Sequence, residues 1–181
     1  MVLKRGLLLF ELLVVLFVLV TLTCLAAPIF ATALMARKSE ISYQLIQDII
    51  AYARSEALRQ STIVYLCPAK YNRNGVLVSC NRNVADWSQG VLAFIDYSGK
   101  GVNYSSGGRV KAVKFSPNLS INLYPSQILQ INPDSTLAPG ASANLLWTFS
   151  IVQKKYSVAY KSIVTLNTYG VTNYQKIEDV E

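Results

Sequence analysis

The sequence predicts an α+β chain, one long N-terminal helix packed on an antiparallel β-sheet domain. Three observations predict it. Residues 37–61 contain no Pro or Gly and carry apolar side chains at helical spacing. From Thr62 onward the pattern shifts to short β-type runs separated by turn residues. The strands follow one helix instead of alternating with helices, which separates α+β from a parallel α/β sheet.

The first element begins before residue 37. Residues 7–36 are almost wholly apolar, and Glu11 is their one charge. At about 1.5 Å per residue, residues 7–26 form a helix of roughly 30 Å, the thickness of one hydrocarbon core. Lys4 and Arg5 precede the run, and basic residues beside a membrane helix favour the cytoplasmic side. A plain signal anchor fits this pattern. So does a secretory signal cut near Ala31-Thr32-Ala33. A third reading cuts the chain at the start of the run and keeps the run. Glu11 separates them. A carboxylate in a membrane helix costs about 2.5–3.5 kcal/mol on insertion scales, so it implies a function and a partner. Pro28 is expected to loosen the helix where the membrane half meets the soluble half.

In the soluble half, Ile41, Leu45, Ile49, Ala53 and Ala57 form an i, i+4 stripe, widened by Ile46, Ile50 and Leu58. Arg37, Lys38, Gln44, Gln47, Asp48, Arg54 and Arg59 are assigned to the opposite, solvated face. Strands are predicted at 62–67, 76–80, 90–96, 109–115, 119–124, 145–152 and 157–167. Turns fall at 72–75, 98–101, 105–108, Pro125 and 133–140. Residues 125–144 read only as an exposed connection. Cys67 and Cys80 end successive strands with a polar loop between them. A hairpin there brings them close, and an oxidising compartment joins them as a disulfide, the alternative being two buried thiols. Beyond the apolar run roughly 140 residues remain, enough for one compact domain.

Composition restricts the chemistry. There is no histidine, the commonest general base and zinc ligand. No nucleophile–base pair or cofactor motif is visible, so neither an enzyme, a metal site nor a cofactor is expected. The run Ser98-Gly99-Lys100-Gly101-Val102 lacks phosphate-loop spacing and reads as a hairpin turn. Asp86, Asp96 and Asp134 lack calcium-loop spacing and read as loop or cap residues.

The run Lys4-Arg5-Gly6 followed by Leu7-Leu8-Leu9-Phe10-Glu11 resembles the type IV prepilin signal: a short basic leader, a glycine, an apolar first mature residue and glutamate as the fifth. Leu7 stands where that family usually has Phe. The resemblance implies a leader at 1–6, removed by a prepilin peptidase between Gly6 and Leu7, with Leu7 then N-methylated. It also implies that Glu11 pairs with the terminal amine of a neighbouring subunit. Residues 7–30 become the transmembrane part of the pilin helix, 31–61 its amphipathic continuation, and 62–181 a periplasmic β-rich domain.

A second resemblance lies downstream. Ala53-Arg54-Ser55-Glu56-Ala57, then Leu66-Cys67-Pro68, then Trp87 with Gly90, Phe94 and Asp96 are similar to ordered motifs of the GspH/FimT group. These motifs read as fold-defining, with Ala53 and Ala57 in close packing, Arg54 and Glu56 as helix-face charges, and Trp87 as a core or rim aromatic. The resemblance implies the pilin fold and a minor pseudopilin or minor pilin. Such a subunit sits in a type II secretion pseudopilus or a type IV pilus, anchored in the bacterial inner membrane with its N-terminus cytoplasmic. Its partners would be the peptidase, other pilins or pseudopilins, and the membrane.

The alternative is a FimT-like DNA-binding minor pilin acting in DNA uptake. Such proteins carry a C-terminal Gly-Arg-x-Arg motif. Here Gly170 is followed by Val171, Thr172 and Asn173, without either arginine. Net charge is +7, and residues 54–161 hold twelve Lys or Arg against four Asp or Glu. Arg109, Lys111 and Lys114 read as one basic cluster and Lys154, Lys155 and Lys161 as another, the sites where phosphate would bind. The tail residues Glu178, Asp179 and Glu181 oppose that attraction.

Overall fold

The computed structural model describes the backbone of residues 3–97, 104, 108–138, 147–155, 158–170 and 172–178. It describes their side chains except at 3–9, 25–29, 31–32, 153–155, 158–160, 172 and 176–178. The turns expected at 98–101 and 105–107, the end of the connection at 139–144 and the tail acids Asp179 and Glu181 lie outside the described residues. The chain divides into two compact units, Met1–Arg37 and Lys38–Glu181.

Helix α1, Leu3–Gln60, carries the first unit and enters the second. It is helical through Pro28. In the first unit every described side chain from residue 10 to 24 is exposed, Phe10 and Phe17 by more than two thirds. Thr21 donates to the Val18 carbonyl, and Thr23 to those of Leu19 and Val20. The helix thus satisfies its own hydroxyls, as an apolar setting requires. Among the described residues no helix is long and apolar enough to cross a membrane.

In the second unit α1 buries Ser39, Ser42, Ile46, Ile49, Ile50, Ala53 and Ala57. This corrects the expected stripe. Ile41 is 53% exposed and Leu58 63%. Each step of four residues overshoots a full turn by about 40°, so a strict i, i+4 row winds off the face. Alternating steps of three and four stay on it, which brings the small hydroxyls of Ser39 and Ser42 inward. Ser42 satisfies its hydroxyl at the Lys38 carbonyl, 2.9 Å away. Ser39 shares a hydrogen bond with buried Ser162.

Among the described residues nine strands follow: β1 Val64–Tyr71, β2 Leu77–Cys80, β3 Gly90–Phe94, β4 Arg109–Lys114, β5 Leu119–Tyr124, β6 Leu129–Ile131, β7 Trp147–Lys155, β8 Val158–Leu166 and β9 Thr172–Glu178. The expected sheet is in fact two. One has the order β2-β1-β3-β4, with β6 also on β1, and the other the order β5-β7-β8-β9. Every pairing is antiparallel. β5 has its predicted bounds, and its alternation of buried and exposed residues explains why it was readable.

Two strands were not expected. β6 lies in the segment read as an exposed connection, yet Leu129, Ile131 and Leu137 are fully buried there. Three residues give only one alternation, too little for a periodic signal. β9 pairs along β8 from Leu166↔Thr172 to Tyr160↔Glu178. Cys67 lies inside β1, not at its end, because β1 runs on to Tyr71.

The main core lies between α1 and the two sheets. Val64, Leu66, Val91 and Ala93 face it from the first sheet, and Ile121, Phe149, Ile151, Val164 and Leu166 from the second. Trp87 is buried among them, edge-on to Phe149 at 5.3 Å between centroids, with its indole N–H donating to the Val84 carbonyl. The pleat sends Cys67, Ala69, Leu92 and Phe94 to the other face of the first sheet, into a smaller cluster with Tyr65, Tyr104 and Ile128. Main-chain bonds join the sheets: Trp87 N–H donates to the Ile121 carbonyl and Leu123 N–H to that of Ala85.

Candidate assembly helix and surface sites

Glu11 is exposed on α1 among exposed Phe10, Leu12, Leu13 and Val15. Gly6 and Leu7 lie within the same helix, and their side chains are outside the described residues. The helix therefore presents a single carboxylate on an apolar surface about one turn beyond Leu7.

The expected disulfide is formed between Cys67 and Cys80, whose Cα atoms are 5.7 Å apart. It ties β1 to the end of β2, where Ala69 pairs with Cys80. The turn between them is built by Asn72, whose side-chain carbonyl accepts from the N–H groups of Asn74 and Val76.

The structure divides the first basic cluster. Lys111 pairs with Ala93 and so shares the helix-facing side, where its ammonium lies 4.7 Å over the Tyr52 ring. Lys114 lies 5.4 Å over the Tyr71 ring on the opposite side. Arg109 influences Tyr71 as well: burial raises the phenol's pKa, and the Arg109 charge opposes that rise. Tyr71, Arg73, Gln89, Lys114 and Asn118 line an open groove of about 520 Å³. Sequence reasoning missed Tyr71 and Arg73, since both follow the point where β1 was expected to end. The second cluster falls on β7 and β8, in the other sheet from β4. Lys161 is half-buried on β8, beside Ser162, and the side chains of Lys154 and Lys155 lie outside the described residues.

Arg54 departs from its expected place. It is half-buried, and its Nε and Nη2 atoms are buried without a hydrogen-bond partner. Its guanidinium lies against the backbone of Gly170, where a Cβ would come within 1.5 Å of Nη2. Burial lowers its pKa. No local pattern signals this contact, because Gly170 is brought in by the turn between β8 and β9. Glu56 is half-buried on the helix, with Arg59 and Gln60 donating to its carboxylate and lowering its pKa.

Packing explains Trp87, Gly90 and Phe94 of the downstream motif. Trp87 fills the core, Phe94 fills the smaller cluster, and Gly90 has φ +149°, with the Val113 carbonyl 2.1 Å from where a Cβ would stand. The acids act in loops. Asp86 accepts from the Ser88 N–H. Asp134 accepts from the Thr136 N–H and hydroxyl, which hold its carboxyl below the usual range. Among the described residues no cluster of His, Cys, Asp and Glu with metal-site geometry is present.

Residues 43–161 match the family described as Type II transport protein GspH. Among solved structures, the type IV minor pilin FimU of Pseudomonas aeruginosa is similar in fold. The match has a TM-score of 0.51 at 17% identity and covers 78% of this chain and 90% of that one. A second crystal form of FimU matches with a TM-score of 0.49 at 18% identity, over 76% of this chain and 91% of that one. No curated relative is significantly similar in sequence. The helix packed on antiparallel sheets is thus the minor pilin fold, and with the family match extending over about two thirds of its length the chain belongs to the GspH family of type II transport proteins.

Proposed function

We propose that this protein is a minor pseudopilin or minor pilin, a non-enzymatic structural subunit of a type II secretion pseudopilus or type IV pilus. The observation that carries the proposal is the exposed apolar surface of α1 with one carboxylate, Glu11, near its start. A prepilin peptidase cuts between Gly6 and Leu7 and methylates the new amine. Residues 7–30 anchor the chain in the inner membrane, with residues 62–181 in the periplasm. On assembly the helix leaves lipid for the helices of neighbouring subunits. Glu11 then meets the positive amine of a neighbour's first residue, because an unpaired carboxylate is costly in an apolar medium. Repeated head-to-tail contacts of this kind make open filaments. N-terminal sequencing of the membrane-extracted protein tests the processing step. The reading expects a methylated Leu7 as first residue, and a start near Leu34 contradicts it.

One observation favours a second reading, DNA binding. Lys114 lies over the Tyr71 ring and the Arg109 charge acts on the same phenol, in a groove that also holds Arg73 and whose described lining contains no carboxylate. Cations beside a partly accessible ring suit single-stranded nucleic acid. A gel shift of the full-length protein in detergent with a single-stranded oligonucleotide separates the readings. A complex at low salt, lost in Lys114→Glu, supports it. No complex at low salt removes it.

A further inference from the structure

We propose that Arg54, in the notch it shares with Gly170, is the acceptor for a carboxylate presented by a partner polypeptide, either an acidic side chain or a chain terminus. The proposal goes beyond the assembly role of the N-terminal helix and does not rest on it.

The notch has a volume of about 170 Å³ and is lined by Gln47, Ile50, Ala51, Arg54 and Gly170. Drug-sized ligands occupy pockets of about 300–1,000 Å³, so this one admits a small group such as a single carboxyl. Arg54 supplies its one charge. The Nε and Nη2 groups are adjacent donors on one edge of the guanidinium plane, the edge that binds both oxygens of a carboxylate. Both are buried and without an acceptor. The helix neighbours three and four positions away, Ile50, Ala51, Ala57 and Leu58, have no side-chain acceptor to give them. Burial is what lowers the pKa of Arg54.

A cation that has lost water and gained no partner is held at a cost. An entering carboxylate removes that cost by drawing the donor edge away from the Gly170 backbone and into the notch. The glycine makes this arrangement possible. Its φ of +69° and the 1.5 Å approach of Nη2 to a built Cβ leave no room for a side chain. Its N–H is tied to the Asn167 carbonyl at 2.8 Å, so the floor of the notch is fixed. With a single cation in the lining, a phosphate dianion would stay half-neutralised, which favours the carboxylate.

The test is NMR on the full-length protein in detergent, following the Nε–Hε signal of Arg54, assigned by its loss in Arg54→Lys. Sodium acetate is the probe, against equal sodium chloride, with sodium phosphate as a second arm. The expected result is a saturable acetate shift in the millimolar range, with the Gly170 amide moving at the same half-saturation. In Arg54→Gln the Gly170 shift should be lost, and in Arg54→Lys half-saturation should rise about tenfold as the bidentate edge is removed. A response to acetate no larger than to chloride overturns the proposal, and would mean that the notch is empty of function or filled by the chain's own acids. A phosphate response stronger than acetate overturns it too, by reassigning the notch to a phosphate-bearing ligand. Glu11-dependent assembly is untouched by either failure.

Discussion

Single residues set the fold at places where no other side chain fits. Gly90 opens β3 with a backbone conformation that L side chains rarely adopt, beneath the Val113 carbonyl. Gly90→Ala should cost about 1–3 kcal/mol, read as a lower urea midpoint with an unchanged slope. The Cys67–Cys80 bond closes a loop with a sequence separation of 13 in the β-rich unit. Replacing both cysteines by Ala should cost about 2–4 kcal/mol and make the melting temperature insensitive to reductant. This pair was legible because two cysteines flanking a polar turn need only a hairpin to meet. Arg54 was not legible. Its position on the helix is local information, but its burial depends on Gly170, which only the folded β8–β9 turn delivers.

At the scale of elements, periodicity revealed type more reliably than face or partner. The long helix and the alternating β5 follow from their patterns. The buried row of the helix did not, because a run rich in aliphatic residues on several sides permits more than one stripe. The observed packing separates the candidates sharply. Ile49→Ala removes a fully buried side chain and should cost about 2–5 kcal/mol. Ile41→Ala removes a largely exposed one and should stay within about 0.5 kcal/mol, both measured by urea unfolding of the full-length protein. Equal costs would restore the stripe first drawn from the sequence. β6 escaped detection because three residues carry no period, yet it closes one edge of β1. The division into two sheets escaped for another reason. A strand's sequence states its two faces, but its neighbours are set by long-range contacts such as Trp87 with Ile121 and Leu123 with Ala85.

At the scale of the whole molecule, the domain and the N-terminal helix divide the work. The domain buries its apolar side chains against α1 from Ser39 to Ala57 and is complete in itself. The described residues 10–24 bury none of theirs. So large an exposed apolar surface needs a partner; in the proposed function that partner is first lipid and then the helices of neighbouring subunits. Under that proposal Glu11 makes the second partner specific, because lipid tails offer a carboxylate nothing and a subunit amine would neutralise it. The most direct test is incorporation of Glu11→Ala into filaments, scored in sheared fractions against total membrane protein. The account predicts normal insertion and processing with incorporation reduced at least about tenfold, the loss of one favourable charge pair in an apolar setting. Incorporation at the parental level would contradict it.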